Sequence, residues 1–188
     1  KLVVRMRDNV QIIGLSGYAG SGKDYISNKF FVEYYNFHNI SLAWHFKIEC
    51  IAKGQATFDE VFYTKPPRVR KLLQILGTEQ GRDLWGYDIW VDTLFAWIRL
   101  FHTSWGMNKF IIPDVRFPNE LESIKAAGGK VFRVISDREH QTMTAEAREH
   151  ESERALTDKM VIFDGTIINT KDTTDDQLRA QIDKLMEE

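Results

Sequence analysis

The chain contains a single cysteine, Cys50, among 188 residues. A disulfide within the chain is therefore excluded, a reducing compartment fits, and a cysteine-rich zinc site is ruled out. Proline is almost as scarce, with four residues, Pro66, Pro67, Pro113 and Pro118, and no rigid proline-rich linker. Long hydrophobic runs are missing, since no apolar stretch reaches the about 20 residues of a membrane-spanning helix. Neither charge sign dominates: 25 Lys and Arg stand against 27 Asp and Glu, a net charge of -2. That balance excludes a polycation that coats nucleic acid, although it leaves room for a local basic face. The N-terminal stretch lacks the charged, apolar and small-residue segments of a signal peptide. Repeats and low-complexity segments are absent. What remains is a globular chain, 43% hydrophobic, of a length that suits one domain over 1–188. A cytoplasmic location is the expectation.

Apolar runs and breakers predict alternating strands and helices. VQIIGL at 10–15 ends at glycines and reads as a buried strand, with a helix from Asp24 to about Phe37. ISLA at 40–43 reads as a second strand, followed by helices over 45–55 and 66–80. Pro66 and Pro67 are tolerated only because they open the latter. Residues 88–102 give an amphipathic helix, 109–113 a strand, 118–127 a helix stopped by Gly128 and Gly129, and 130–135 a strand. MVIF at 160–163 is expected to be the last strand and 175–186 the closing helix. This alternation implies an α/β fold, a five-stranded parallel sheet flanked by helices. In such sheets ligands sit beyond the carboxyl ends of the strands.

The first such end carries GYAGSGKD at 17–24. Gly17, Gly22 and Lys23 fit the phosphate-loop pattern G-x-x-x-x-G-K-[S/T], except that Asp24 stands where Ser or Thr is usual. Between a strand and a helix, such a loop points successive N–H groups inward and adds the positive end of the helix dipole. Gly17, Ala19, Gly20, Ser21 and Gly22 would then cradle the phosphates of a nucleotide, and Lys23 would reach the outer ones. Asp24 has three readings: a magnesium ligand, a general base for an acceptor hydroxyl, or a carboxylate favoured by the helix dipole.

Three further clusters bear on chemistry. In IIPDVRFPNE, 111–120, a buried strand delivers Asp114 to the phosphate end of the sheet, where a carboxylate for Mg²⁺ is expected. Arg116 follows with a planar fork for phosphate, and Asn119 and Glu120 open the next helix. The alternative is a helix-entry turn in which Asp114 and Arg116 pair with each other. In the stretch 65–91, Lys65, Arg68, Arg70, Lys71 and Arg82 concentrate positive charge; Gln74 and Glu79 offer hydrogen bonds to a base edge. Trp85, Tyr87 and Trp90 offer stacking faces, and the same spacing equally fits core aromatics under a solvated charged face. In 136–154, Arg138, Arg148 and Arg154 read as an arginine-rich lid or as an exposed charged helix. His140 and His150 lack the partners of a zinc motif. Asp164, Gly165 and Thr166 would border the adenine if 160–163 is the last strand.

These motifs together resemble the bacteriophage deoxynucleoside monophosphate kinases, a family of P-loop kinases with relatives that phosphorylate 5-hydroxymethyluracil in DNA. Four stretches match in order: G-x-x-G-S-G-K-D at 17–24, L-Q-x-L-G-T-E-x-G-R at 73–82 with W-V at 90–91, D-V-R-F-P-N-E at 114–120, and H-x-S-E at 150–153. An Asp after the loop lysine is usual in that family. The resemblance implies a P-loop kinase fold with an acceptor-binding region at about 44–105 and a lid at about 136–156. It implies ATP and Mg²⁺, with Lys23, Asp24, Asp114 and Arg116 as catalytic residues and Asp24 and Asp114 as metal ligands. Arg148 would reach ATP. Trp44, Lys47, Arg68, Gln74, Thr78, Glu79, Arg82, Trp90, His150 and Glu153 would serve the acceptor. The expected partners are a deoxynucleotide acceptor, free or within DNA, and a second copy in a homodimer, with no membrane. If the chain is phage-encoded, the location is host cytoplasm. Two positions depart from the family: Tyr25 stands where many relatives have Thr, and L-A-W-H-F-K at 42–47 puts Trp44 where an Asp is common while keeping Lys47. Asp24 then becomes the natural heir to an acid role, and Trp44 a surface for an extruded base.

Overall fold

The computed structural model describes residues 9–137 and 162–187. Five parallel strands form one sheet: β1 (Gln11–Ser16), β2 (His38–Asn39), β3 (Lys109–Val115), β4 (Lys130–Ile135) and β5 (Gly165–Ile168). Their order is β2-β3-β1-β4-β5, so β1 lies in the centre with the phosphate-loop segment at its carboxyl end. This is the expected five-stranded parallel sheet. Strands buried on both faces need nearly continuous apolar sequence, and β1 is buried at every position after Gln11.

Helices cover both faces. On one side, α1 (Lys23–Ile26), its π-helical continuation Ser27–Val32 and the last helix, α7 (Asp175–Glu187), bury Ile26, Phe30, Phe31, Leu178 and Ile182 against the sheet. On the other side pack α2 (Trp44–Ala52), α3 (Pro67–Gly77), α5 (Ile89–Trp105) and α6 (Pro118–Ala126). A π-helical turn, Thr78–Arg82, and the short α4 (Asp83–Trp85) join α3 to α5. Pro67 and Pro118 occupy first-turn positions, where a missing N–H costs nothing. Among the described residues no helix is long and apolar enough to cross a membrane.

Pro113 lies inside β3, where it cannot donate to a ladder. The strand answers with a register shift: Gly14 faces Ile112, but Ser16 faces Val115, so β3 holds one extra residue beside the proline. The shift spans Pro113 and Asp114, between Ile112 and Val115.

Several sequence expectations need correction. ISLA is not a strand. Pairing ends at Asn39, and Ser41–Ala43 turn because their polar groups are taken by Asp114. The last strand is Gly165–Ile168 rather than 160–163; Met160 and Val161 lie outside the described residues, and Ile162 is exposed. Asp164 therefore precedes β5, where it accepts from the Val131 N–H at 2.8 Å and pairs with Lys125 at 3.0 Å. Asp164, Gly165 and Thr166 thus start the strand at the end remote from the phosphate loop; Asn169 and Thr170 follow it. The helix expected from Asp24 changes to π-type turns, with Glu33 N–H donating to Asn28 O and Tyr35 N–H to Phe30 O.

Trp90 is a core residue with no face open to a base. It is 6% exposed, lies 5.0 Å from the Phe46 ring and donates its indole N–H to Gly77 O at 2.6 Å. Trp90→Ala is expected to cost about 3–5 kcal/mol of stability, read by equilibrium urea unfolding. A loss below about 1 kcal/mol would return Trp90 to the surface role that its sequence setting also allowed.

Candidate active site at the phosphate loop

The loop between β1 and α1 closes on itself. The Lys23 ammonium donates to Gly17 O at 2.7 Å and Tyr18 O at 2.8 Å. Gly22 caps α1 at φ 90°, in the left-handed region, and a Cβ there would meet the Asn169 side chain at 2.2 Å. At Gly17, also at positive φ, a Cβ would lie 2.5 Å from Val134 O. Both positions require glycine. Asn169, buried at the end of β5, donates its amide to Ser21 O at 2.9 Å and fixes the far wall of the loop. Ser21 is itself fully buried. Ala19 and Gly20 complete the turn at its solvent side. Sequence reasoning missed Asn169 because the last strand was placed too early. It also missed Arg133, whose guanidinium lies 4.9 Å from the Tyr18 ring centroid.

Asp114 does not stand free at the end of β3. One oxygen accepts from the Ser41 hydroxyl at 2.6 Å and the Ala43 N–H at 3.1 Å; the other accepts from the Leu42 N–H at 3.0 Å. The carboxylate thus ties the entry of α2 to the central sheet. That entry presents Trp44, 37% exposed, and Lys47, half-buried and 5.2 Å from the Phe62 ring centroid. Burial pushes the Lys47 ammonium pKa down, and the Asp114 and Asp24 carboxylates work against that shift. Lys65 and Arg116 act on Lys47 in the same direction as burial. Lys47, Lys65, Arg116, Asp24 and Asp114 therefore share one electrostatic neighbourhood at the mouth of the loop.

Arg82 and Glu120 form a buried ion pair, 3% and 4% exposed. Arg82 also donates to Tyr87 O at 2.9 Å and Asn119 Oδ1 at 3.2 Å, and its guanidinium lies 3.8 Å from the Phe117 ring centroid. The second oxygen of Glu120 accepts from the Arg116 N–H at 2.6 Å and the Phe117 N–H at 3.0 Å. Burial pushes the Glu120 carboxyl up to about 7, while Arg82 and the two N–H donors pull the other way. Sequence reasoning set Arg82 on the acceptor. At this depth it instead fastens the α3–α5 connection to the turn that carries Arg116. Glu120 was seen only as a helix opener.

The remaining expected residues divide. Thr78 is buried beside Arg82; Gln74 is half-buried and Glu79 exposed on the same connection. Arg68 turns away from the loop, onto Glu60 and Gln55 O. Arg148, His150, Glu153 and nearly all of the expected lid lie outside the described residues.

For a magnesium ion the fit rests on Asp24. Its side chain is 75% exposed at the start of α1, 3.8 Å from Lys65 Nζ. Magnesium is held by one or two carboxylates together with phosphate oxygens, so a single open carboxylate beside the cradle suits it. Asp114 has spent most of its acceptor capacity on α2 and suits it less.

The family described as deoxynucleotide monophosphate kinase matches residues 46–180, most of the chain, beginning beyond the phosphate loop. A deoxynucleotide monophosphate kinase of Escherichia phage RB69 is 26% identical over 118 residues, 63% of this chain and 44% of that protein. The matched segment thus spans less than half the length of that relative. A crystal structure of shikimate kinase from Bacteroides thetaiotaomicron aligns over 96% of this chain and 98% of its own. At 16% identity and a TM-score of 0.40, that likeness carries no argument.

Breaking a buried pair strands the surviving charge, so Arg82→Ala or Glu120→Ala alone is expected to cost about 3–5 kcal/mol in urea unfolding. The double variant Arg82→Met/Glu120→Leu is expected to recover most of that loss. Strictly additive losses would contradict the pairing.

Proposed function

Since the chain belongs to the deoxynucleotide monophosphate kinase family, we propose that it transfers the γ-phosphate of ATP to a deoxynucleoside monophosphate. The observation that carries this reading is the family match over residues 46–180, which takes in the acceptor region and the Asp114–Glu120 turn. In this reading residues 1–188 act as one P-loop kinase domain, with an acceptor region at about 44–105 and a lid at about 136–156. ATP and deoxynucleotides are cytoplasmic, and the protein works there.

The roles follow from charge and position. The N–H groups of Gly17, Ala19, Gly20, Ser21 and Gly22 hold the ATP phosphates at the positive end of α1. Lys23 exchanges the Gly17 and Tyr18 carbonyls for the outer phosphates. Arg116, its backbone fixed by Glu120, offers a guanidinium to the transferred phosphoryl group. A phosphate oxygen of the acceptor attacks the γ-phosphorus, the bond to the β–γ bridging oxygen breaks, and ADP leaves. A phosphate monoester has its second pKa near 6 and is largely dianionic at neutral pH. The attacking oxygen therefore needs no general base, which favours the metal role of Asp24 over the base role. Bound Mg²⁺ would neutralise charge on the β- and γ-phosphates, with Asp24 as its protein ligand. Asp114 acts by holding the α2 entry, so that Lys47 and Trp44 face the acceptor. Gln74, Thr78 and Glu79 line the acceptor side. Arg148 completes the ATP site from the lid, and His150 and Glu153 meet the acceptor there.

The test offers γ-labelled ATP with Mg²⁺ to the four deoxynucleoside monophosphates, and separately to 5-hydroxymethyluracil DNA. Label on a free monophosphate is expected; label on DNA alone, or hydrolysis without transfer, would overturn the reading. Lys23→Ala is expected to lower kcat about 100-fold or more. Asp24→Asn is expected to raise the Mg²⁺ concentration needed for half-maximal rate and leave the pH profile in place. Loss of the acidic limb of that profile would instead make Asp24 the base and point to an alcohol acceptor.

A further inference from the structure

The basic stretch 65–71 resolves into residues with quite different surroundings. Arg68 pairs with Glu60. Arg70 donates its Nε–H to the Lys65 carbonyl at 2.8 Å. Lys71 is exposed on α3. Lys65 alone among them reaches the phosphate loop, with its ammonium 3.8 Å from Asp24.

Lys65 is held there at a cost. Its backbone sits at φ 44°, ψ 58°, a left-handed conformation that residues with a Cβ rarely adopt. It ends the π-helical segment Glu60–Thr64, its N–H bonds to Glu60 O at 3.0 Å, and Pro66 follows at once. Arg70 clamps the carbonyl from the next turn. Three constraints on one backbone unit, in a strained conformation, fix the direction in which a long side chain leaves it. Strain of this kind persists where the surrounding structure over-determines it, and it gathers at functional sites.

The contact that results is poor as a stabilising ion pair. At 3.8 Å, with Asp24 three-quarters exposed, such a pair is worth little. The strain is therefore not repaid by the contact. Lys65 also stands close enough to Lys47 for the two ammonium groups to disfavour each other. Two cations brought together over one carboxylate are positioned for a further anion, and the anion that must arrive between the loop and α3 carries two negative charges.

We propose that Lys65 binds the phosphate of the acceptor, and that its contact with Asp24 is a resting position that it leaves when the acceptor enters. This rests on the kinase reading above. On acceptor entry the ammonium exchanges one exposed carboxylate oxygen for a phosphate dianion, which leaves the Asp24 carboxylate open. Lys65 and Lys47 then hold the attacking group from two sides, while Arg116 and Lys23 hold the transferred one.

The test compares wild type, Lys65→Met and Lys65→Arg in steady-state transfer, with ATP and the preferred deoxynucleoside monophosphate varied in turn. Urea midpoints are measured alongside to confirm that each variant is folded. A charge-assisted hydrogen bond is worth about 1.5–3 kcal/mol, so Lys65→Met is expected to raise the acceptor KM about 10- to 100-fold with the ATP KM unchanged. Lys65→Arg is expected to restore part of the loss. An unchanged acceptor KM in Lys65→Met would overturn the proposal and leave the kinase reading standing. A rise in ATP KM or in Mg²⁺ requirement alone would also overturn it, making Lys65 a partner of Asp24 only. If wild type transfers to no free monophosphate, the kinase reading fails, and this proposal fails with it. If Lys65→Met is unfolded, Lys65→Arg decides: an arginine resting on Asp24 alone would leave the acceptor KM unchanged, whereas a phosphate contact would shift it.

Discussion

A guanidinium buried to 3% exposure must be neutralised by something equally buried, and in this protein that partner is Glu120. The requirement joins two parts of the chain that are distant in sequence. Arg82 ends the π-helical turn after α3, and Glu120 sits in the first turn of α6. The second oxygen of Glu120 also holds the backbone of Arg116 and Phe117. One carboxylate therefore fixes both the α3–α5 connection and the turn that carries Arg116. Replacing such a pair with apolar residues is often tolerated thermodynamically. Its value here is geometric, because it fixes where the α3–α5 connection and the start of α6 stand relative to each other.

Asp114 does the same on the other flank. A proline in the middle of a parallel strand forces a bulge, and the bulge turns Asp114 toward the residues that precede α2. The two carboxylates expected to bind metal are thus unequal. Asp24 is open and adaptable; Asp114 is committed to holding Lys47 and Trp44 in place. Phosphoryl transfer asks chiefly for positioning and charge stabilisation, so under the proposed reaction a carboxylate that positions a lysine would contribute as one that binds metal would.

Most of the sheet was legible because strands buried on both faces need apolar runs, and IIGL in β1, FIIP in β3 and the VF and VI pairs of β4 supply them. The phosphate loop was legible because glycine spacing and the strand-to-helix context are both local. What escaped the sequence was non-local. Ser41–Ala43 look like a strand until Asp114, 71 to 73 residues away, captures their donors. Trp90 and Arg82 lie in a stretch whose aromatic and basic content suits a binding surface as well as a core. Only the packing of α5 against α2 and the position of Glu120 decide between the two. The last strand was misplaced because two short apolar runs, MVIF and TII, stand in tandem, and pairing with β4 selects the second. That error hid Asn169 from the loop it supports.

Under the proposed function, the anion that attacks ATP in this site is a free deoxynucleotide phosphate. Phosphorus NMR of one reaction mixture, with ATP, Mg²⁺ and a single deoxynucleoside monophosphate, tests it most directly. The monophosphate resonance is expected to fall while two resonances of a deoxynucleoside diphosphate rise, one molecule for each ATP converted to ADP. Loss of the ATP γ resonance into inorganic phosphate, with the monophosphate untouched, would contradict it.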